Sequence, residues 1–222
     1  MRRNKKEISN FLLPLITSIE HYEKGDFIYN QNDSINKIYI IKSGFIKLGR
    51  KVARNKYYNI GLYKENETLG VIGLFDEDPK YPSDAQVISK GASVYVVMRE
   101  DIKAELFDNI EFYKKCISFS SNWFCDHTWK LYDIAILRKR EALYATITRL
   151  ANSYGIETDD GILIDIQITN DQLADFSGVS SKESINRMLK ELRERKIISI
   201  NKKKITVHKS LIDKSEDCYI NI

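Results

Sequence analysis

Four polar side chains able to hydrogen-bond to base edges fall within six residues near the C-terminal end: Lys182, Glu183, Asn186 and Arg187. On a helix, positions 183 and 187 are one turn apart and share a face. Arg187 can donate two hydrogen bonds to guanine O6 and N7, and Glu183 can accept one from cytosine N4. Lys182 stands at the N-terminal end, where recognition helices touch bases. The pattern indicates a DNA-reading helix, although Glu183 and Arg187 could instead form a surface ion pair worth about 0.3–0.5 kcal/mol.

The residues just upstream have the spacing of a helix-turn-helix. Thr169 and Gln172 have the Thr-x-x-Gln spacing of a capping box, so a helix should begin there. Ala174 is followed four residues later by Gly178. A small residue allows the second helix to approach closely, and glycine tolerates a positive φ at the turn.

The second helix has its own cap and is followed by a predicted basic hairpin. Ser180 or Ser181 can cap it, and its apolar positions are expected to face the core: Ile185, Met188, Leu189 and Leu192. Residues 197–200 and 204–208 read as strands around the turn 201–203, whose lysines can meet phosphates. The predicted DNA-contacting residues are therefore Thr169, Ser180, Ser181, Lys182, Glu183, Asn186, Arg187, Lys202 and Lys203.

Charge is distributed unevenly along the chain. Between Ser180 and Ser210 there are ten Lys or Arg and three Glu, a net charge of +7, whereas the whole 222-residue chain carries only +4. The remainder is therefore mildly acidic, at −3. A basic C-terminal stretch on an acidic body is typical of a nucleic-acid-binding protein. On charge alone, an ordinary solvated lysine-rich surface is an equally good interpretation.

The first half of the chain is predicted to be all-β. Short apolar or alternating runs are separated by turn residues at intervals of roughly ten residues, which favours a sandwich or jelly-roll barrel. The predicted strands are 27–29, 38–41, 45–48, 57–63, 87–88 and 94–97. Such barrels often enclose a small ligand, but the architecture does not imply one.

A long helix is predicted to follow the barrel. Between 101 and 153 there is no Pro or Gly, and an apolar stripe runs along Phe112, Cys116, Phe119, Trp123, His127, Leu131 and Ile134. A helix over 111–137 would be about 40 Å long, too long for a barrel of this size to cover. We therefore expect a symmetric dimer through this helix. The alternative is packing entirely within its own chain.

Processing and redox features indicate a cytoplasmic protein. No run approaches the roughly 18 apolar residues of a membrane span, and the basic start lacks a signal-peptide cleavage site. The three cysteines, Cys116, Cys125 and Cys218, are too few and too scattered for a disulfide framework or a zinc site. No membrane association and no metal site are expected.

The order of these elements resembles the Crp/Fnr family of bacterial transcription regulators over roughly residues 20–210. Gly70-Val71-Ile72-Gly73-Leu74-Phe75 is similar to the family's Gly-Glu-x-Gly-Leu-Phe segment, and 182–187 to its Arg-Glu-Thr-Val-x-Arg motif. The resemblance implies a cyclic-nucleotide-binding-type barrel, a dimerisation helix and a winged helix-turn-helix. It also implies a palindrome of TGTGA-like half-sites read by Glu183 and Arg187, and RNA polymerase as a partner.

Two features depart from the family pattern. The interval from Gly178 to Glu183 is one residue longer, and Lys182 replaces an arginine, whose planar fork lysine lacks. The family's ribose-binding Glu aligns with Val71 and its phosphate-binding Arg with Pro82. Neither residue can form the required charged or hydrogen-bonded contact, so no response to cyclic AMP is expected.

The effector is otherwise open. The candidate effector-binding residues are Gly70, Val71, Ser83, Trp123 and His127. An iron–sulfur cluster is not expected with three scattered cysteines. Haem would require His127 or Cys125 as a ligand, and a single histidine on a helix is more often structural. An unknown small molecule therefore remains the expected effector.

The sequence thus predicts an α+β protein with three parts. These are an antiparallel β jelly-roll barrel (1–110), a long dimerisation helix (111–137) and a winged helix-turn-helix domain (138–222). The leading hypothesis is an effector-gated homodimeric regulator. A constitutive regulator, whose barrel is only a scaffold or docks a partner, is the second. A cupin-like enzyme is disfavoured because only His21 falls in the barrel region.

Overall fold

The computed structural model describes residues 7–52, 56–179 and 181–208. The described residues divide between Trp129 and Lys130 into two compact units. In the described part of the chain, no helix is long and apolar enough to cross a membrane.

The first unit contains two antiparallel four-stranded sheets, with strand orders β1-β8-β3-β6 and β2-β7-β4-β5. The strands are β1 (Ile16–Glu23), β2 (Phe27–Tyr29), β3 (Lys37–Ser43), β4 (Ile46–Val52), β5 (Lys56–Tyr63), β6 (Thr68–Leu69), β7 (Asp84–Val87) and β8 (Gly91–Met98). Buried and less buried residues alternate along β7 and along β8 up to Val96, as expected for strands with one face on a core. The predicted β jelly-roll is confirmed, and β1, which the sequence pattern did not reveal, completes it.

Three helices belong wholly or partly to this unit: α1 (Glu7–Leu12), α2 (Arg99–Asp108) and α3 (Ile110–Ile136). The long helix was predicted to within one residue at each end. Its apolar stripe, however, does not all face outward, because Phe112 and Cys116 are fully buried in the barrel core and Phe119 packs against it. This part of the stripe is therefore covered by its own chain. A different set of α3 residues is exposed.

The second unit is a helical domain with a four-stranded sheet, in the order β11-β12-β10-β9. Its elements are α4 (Lys139–Tyr154), β9 (Gly155–Thr158), β10 (Gly161–Ile164), α5 (Asn170–Ser177), α6 (Lys182–Glu194), β11 (Ile198–Asn201) and β12 (Lys204–His208). The alternation of apolar and polar residues over 162–168 predicts a strand of that length, and this prediction is wrong beyond Ile164. Ile166 and Ile168 continue the alternation of burial, but they lie outside the sheet, since alternation reports burial and not strand pairing.

Candidate nucleic-acid interface

Helix α5 begins and ends as the sequence predicts. The Thr169 hydroxyl accepts from Gln172 N (3.2 Å) and the Gln172 side chain accepts from Thr169 N (2.9 Å), which completes a capping box. At the other end, Gly178 has φ of 68°, and a Cβ there would lie 2.8 Å from Ile134 Cγ2. Glycine is therefore required both for the left-handed backbone and for the close contact with α3.

Helix α6 presents one buried and one exposed face. Ser181 caps it by accepting from Ser184 N (3.1 Å), whereas Ser180 lies outside the described residues. The predicted core positions are all buried: Ile185, Met188, Leu189 and Leu192. Glu183 and Arg187 are exposed on the other side, and no ion pair joins these two described residues. The surface-ion-pair interpretation therefore has no support, and both side chains are available to a ligand.

Two side-chain pairs connect the N-terminal ends of α5 and α6. Lys182 Nζ lies 3.1 Å from Asp171 Oδ2, and Asn170 Nδ2 donates to Asn186 Oδ1 at 2.5 Å. All four side chains lie at the solvent-facing side of the helix-turn-helix, and the Lys182–Asp171 pair is largely exposed. The ammonium of Lys182 is therefore held by a carboxylate in this structure, unlike Glu183 and Arg187.

The predicted wing is a β-hairpin with a two-residue loop. Asn201 pairs with Lys204 in the β11–β12 ladder, and the two residues between them, Lys202 and Lys203, have φ of 46° and 65°. Positive φ at both central positions defines a type I′ turn, which normally carries Asn-Gly. The turn is anchored by Ile168 N, which donates to Lys203 O at 3.3 Å. Two ammonium groups therefore project from the tip of a fixed hairpin.

The last two turns of α3 pack on the helix-turn-helix within the second unit. Lys130 Nζ lies 5.0 Å from the centre of the Phe176 ring in α5. Burial, with a smaller effect from the charge of Arg149, lowers the pKa of Lys130 to about 7. One turn further on, Asp133 pairs with Arg149 of α4. The end of the long helix therefore packs on α5 and forms an ion pair with α4.

The residues predicted to surround an effector lie in or beside the barrel core. Gly70 has φ of 90° and begins a 3₁₀ turn, while Val71 and Ser83 are buried. Next to Pro82, the ring of Tyr81 stacks on Tyr29 at 3.6 Å. Tyr29, Val71 and Tyr81 all belong to the buried core of this unit.

Trp123 and His127 form an aromatic cluster where α3 meets the barrel. Trp123 Nε1 donates to the Tyr63 hydroxyl at 2.8 Å, and the His127 ring stacks on the indole at 3.8 Å. His127 Nδ1 also lies 2.8 Å from the carbonyl of Trp123, one turn earlier. Among the described residues, no group of three His, Cys, Asp or Glu side chains is placed to hold a metal ion. The cluster is held by contacts within the first unit.

Asn170 and Asp171 also belong to this surface, although no sequence pattern indicated them. Both follow the capping residue and could have been placed on the first turn of α5. Their pairing with α6 residues depends, however, on the angle between the two helices, which no local pattern contains. The pairing of Arg140 with Glu191, at 3.1 Å in the C-terminal half of α6, was missed for the same reason.

Two protein-family models match successive parts of the chain. Residues 19–109 match the cyclic nucleotide-binding domain family, and residues 141–210 match the Crp-like helix-turn-helix domain family. The chain is 34% identical to the anaerobic regulatory protein of Bacillus subtilis over 199 residues, covering 89% of this chain and 83% of that protein. It is 26% identical to the global nitrogen regulator of Synechococcus elongatus over 202 residues, covering 91% and 90%.

Solved structures share the fold at low sequence identity. FixK2 from Bradyrhizobium japonicum has a TM-score of 0.79 at 12% identity, covering 92% of this chain and 98% of its own. The c-di-GMP-responsive global regulator CLP of Xanthomonas campestris has a TM-score of 0.72 at 17% identity, covering 90% and 98%. At these identities the likeness establishes the architecture alone.

Proposed function

Because the chain belongs to the Crp/Fnr family of transcription regulators, we propose that it acts as a homodimer on a palindromic DNA site. It is a regulator with a helix-turn-helix DNA-binding domain and not an enzyme. The observation that carries the finer proposal is the exposed, capped face of α6. On that face Glu183 and Arg187 are exposed, and the basic hairpin follows directly after α6 in the chain.

In this proposal, base edges are read mainly by two residues. Arg187 donates to guanine O6 and N7, and Glu183 accepts from cytosine N4, each contact contributing about 1–3 kcal/mol of discrimination. Lys182 is held by Asp171 at 3.1 Å and lacks the planar fork of arginine. We therefore expect weaker selection at the outermost base pair of the half-site than an arginine there would impose.

The remaining predicted contacts position the protein without reading sequence. Lys202 and Lys203 at the wing tip would meet phosphates, which fix the register on the duplex. Thr169 and Ser181 stand at helix N-termini, where backbone N–H groups favour anions. The net charge of +7 between 180 and 210 would add a salt-dependent attraction to DNA.

Dimerisation would use the exposed face of α3. Ile110, Ile117, Phe124 and Leu131 follow one another at intervals of seven residues and are all exposed, with Ile110 and Phe124 each 67% exposed. A seven-residue interval falls about 20° short of two helical turns, so such a stripe favours a left-handed two-helix pair. These four positions are named the α3 seam. A two-fold axis through it would suit a palindromic site.

Cyclic AMP is not the proposed effector. The position of the family's ribose-binding Glu is the buried side chain of Val71, and the phosphate-binding Arg is replaced by Pro82, beside the stacked Tyr81. An effector of other chemistry would shift the population between two arrangements of the recognition helices. The constitutive alternative is favoured by Trp123, whose indole already donates to Tyr63 from α3 to the barrel.

One measurement distinguishes the effector-gated regulator from the constitutive one. Selection of bound sequences from random DNA, with and without a cell extract, would return the half-site and spacing and show whether a soluble effector is needed. Calorimetry that detects cyclic AMP binding at micromolar concentration would overturn the exclusion of that ligand. The proposed role in transcription implies RNA polymerase as a partner. It also implies a cytoplasmic location.

A substitution tests the reading residues directly. Arg187→Ala should cost about 1–3 kcal/mol and relax specificity at one base position. Lys103→Ala, which removes one positive charge from α2 in the first unit, is the matched control and should leave the base preference unchanged. If Arg187→Ala weakens all sequences equally, Arg187 contacts the backbone and the proposed reading is wrong.

A further inference from the structure

The segment between β6 and β7 displays two apolar side chains to solvent. Ile72 and Phe75 are 43% and 44% exposed, whereas Val71 and Leu74 are buried. The segment starts with a 3₁₀ turn (Val71–Gly73) that continues into Leu74 with right-handed helical backbone angles, and side chains three residues apart in such a turn lie on the same side. Ile72 and Phe75 therefore form one apolar surface on what is named the 70–76 loop.

This loop is fixed from beneath by a buried arginine. Arg99 Nε donates to the carbonyl of Gly73 at 3.0 Å, and a terminal nitrogen of the same guanidinium donates to the carbonyl of Asp76. Hydrogen bonds from a charged donor are stronger than neutral ones, and both hold the loop close to Phe75. The apolar surface is thus presented in one conformation, which lowers the entropy cost of binding to it.

The loop surface continues into the α3 seam. The Phe75 ring packs edge-to-face on Tyr113, with centroids 5.6 Å apart at 77°. Tyr113 lies three residues after Ile110 and four before Ile117, so it shares their face of the helix. Ile72 and Phe75 are therefore neighbours of the exposed stripe and not an isolated patch.

The α3 seam alone is small for a stable dimer. The four seam side chains and Tyr113 are on average a little over half exposed, and at roughly 150–200 Å² per large side chain they offer about 500 Å². A standard interface buries about 800 Å² on each partner. Additional surface next to the seam is therefore needed, and the exposed side chains of Ile72 and Phe75 add roughly 150 Å² of apolar surface there.

We propose that the 70–76 loop is part of the dimer interface, with Ile72 and Phe75 packing against α3 of a second copy of the chain. This inference rests on the proposed dimer through α3. Two-fold symmetry makes the contact twice, once on each side of the seam. The 70–76 loop then lies beside the barrel core and also contacts the partner protomer. A change in its conformation therefore acts directly on the dimer interface.

The test compares dimer dissociation constants of the full chain by sedimentation equilibrium. The double variant Ile72→Glu, Phe75→Glu should dissociate at least tenfold more readily than the wild type. Phe27→Glu is the matched control, because Phe27 is also 43% exposed in the same unit but lies on β2, and it should dimerise normally. Circular dichroism establishes that each variant is folded.

A seam variant separates failure of this inference from failure of the proposed dimer. If Phe124→Glu dissociates the dimer and the loop variant does not, the loop lies outside the interface and the inference is wrong. If Phe124→Glu dimerises normally, the dimer through α3 is itself wrong. A photo-cross-linking residue at position 72 gives an independent readout. It should yield dimers linked to 110–124 of the partner, and adducts within one chain only would overturn the inference.

Discussion

The two lysines at the tip of the wing should lower the folding stability of the protein while supplying positive charge for DNA binding. Lys202 and Lys203 both adopt the left-handed conformation of a type I′ turn, with φ of 46° and 65°. That conformation costs an ordinary L-residue about 1–2 kcal/mol, and glycine adopts it freely. Replacing the pair by Asn-Gly suits the turn, while the added glycine entropy in the unfolded chain offsets about 0.4–1 kcal/mol. We expect a net stabilisation of about 1–2 kcal/mol.

The same double variant should bind DNA less well. Each lost lysine–phosphate contact lowers the slope of log K against log salt by about 0.9, and so by about 3.6 for a dimer that loses four contacts. The midpoint temperature of thermal unfolding should rise by about 4–8 °C for each kcal/mol of added stability in a domain of this size. Fluorescence anisotropy at several salt concentrations should show the shallower dependence of log K on log salt. The variant Lys202→Arg, Lys203→Arg keeps both the charge and the strain, and should change neither quantity.

The two measurements refute different steps. A less stable Asn-Gly variant would mean that the left-handed lysines carry no cost in this turn. An unchanged salt slope would mean that the wing tip does not reach phosphates. Only the opposite signs, greater stability with weaker binding, support the proposal that these positions carry lysine for its charge.

Three further outcomes are expected. Asp171→Asn releases its lysine partner and removes a negative charge from the DNA-facing side, so affinity should rise and the salt slope should steepen by about 0.9 per protomer; an unchanged slope would place position 171 away from DNA. Gly178→Ala should destabilise the second unit by more than the left-handed backbone cost of about 1–2 kcal/mol, because the new Cβ would lie 2.8 Å from Ile134 Cγ2. Gly25→Ala, with φ of 101° and open space around it, is the control for backbone strain alone, and equal losses in denaturant unfolding would show that the contact is unimportant. Burial raises the pKa of the Cys116 thiol to about 12, so mass spectrometry should find it unalkylated in the native protein at pH 8, and rapid native labelling would contradict its burial.

Local chemistry made the helix-turn-helix readable from sequence. A capping box needs only Thr169 and Gln172, a left-handed turn needs only Gly178, and a helix with apolar residues on one side necessarily shows its other side to solvent. These signals act over three to five residues, so they can be recognised without knowledge of distant contacts. The same holds for the hairpin after α6, although its lysines at positive φ are a departure from the usual turn residues.

Pairings between elements were beyond sequence reasoning. Lys182 and Asp171 are eleven residues apart on different helices, and their contact at 3.1 Å depends on the crossing of α5 and α6. The strand pattern over 162–168 likewise contained alternating burial, yet only Gly161–Ile164 found a partner strand. Hydrogen-bonded pairing depends on where the neighbouring strand ends, which alternation does not encode.

The long helix α3 shows most clearly what the sequence determines and what the tertiary structure determines. Sequence alone determined its existence and its ends, because 27 residues without Gly or Pro and with helical periodicity leave little alternative. It could not determine which apolar residues are covered, since α3 carries two apolar faces. Only the tertiary structure decided that Phe112 and Cys116 belong to the barrel core, and that Ile110 and Phe124 are left exposed. The physical reason is that burial depends on the surface a helix meets, and periodicity describes the helix alone.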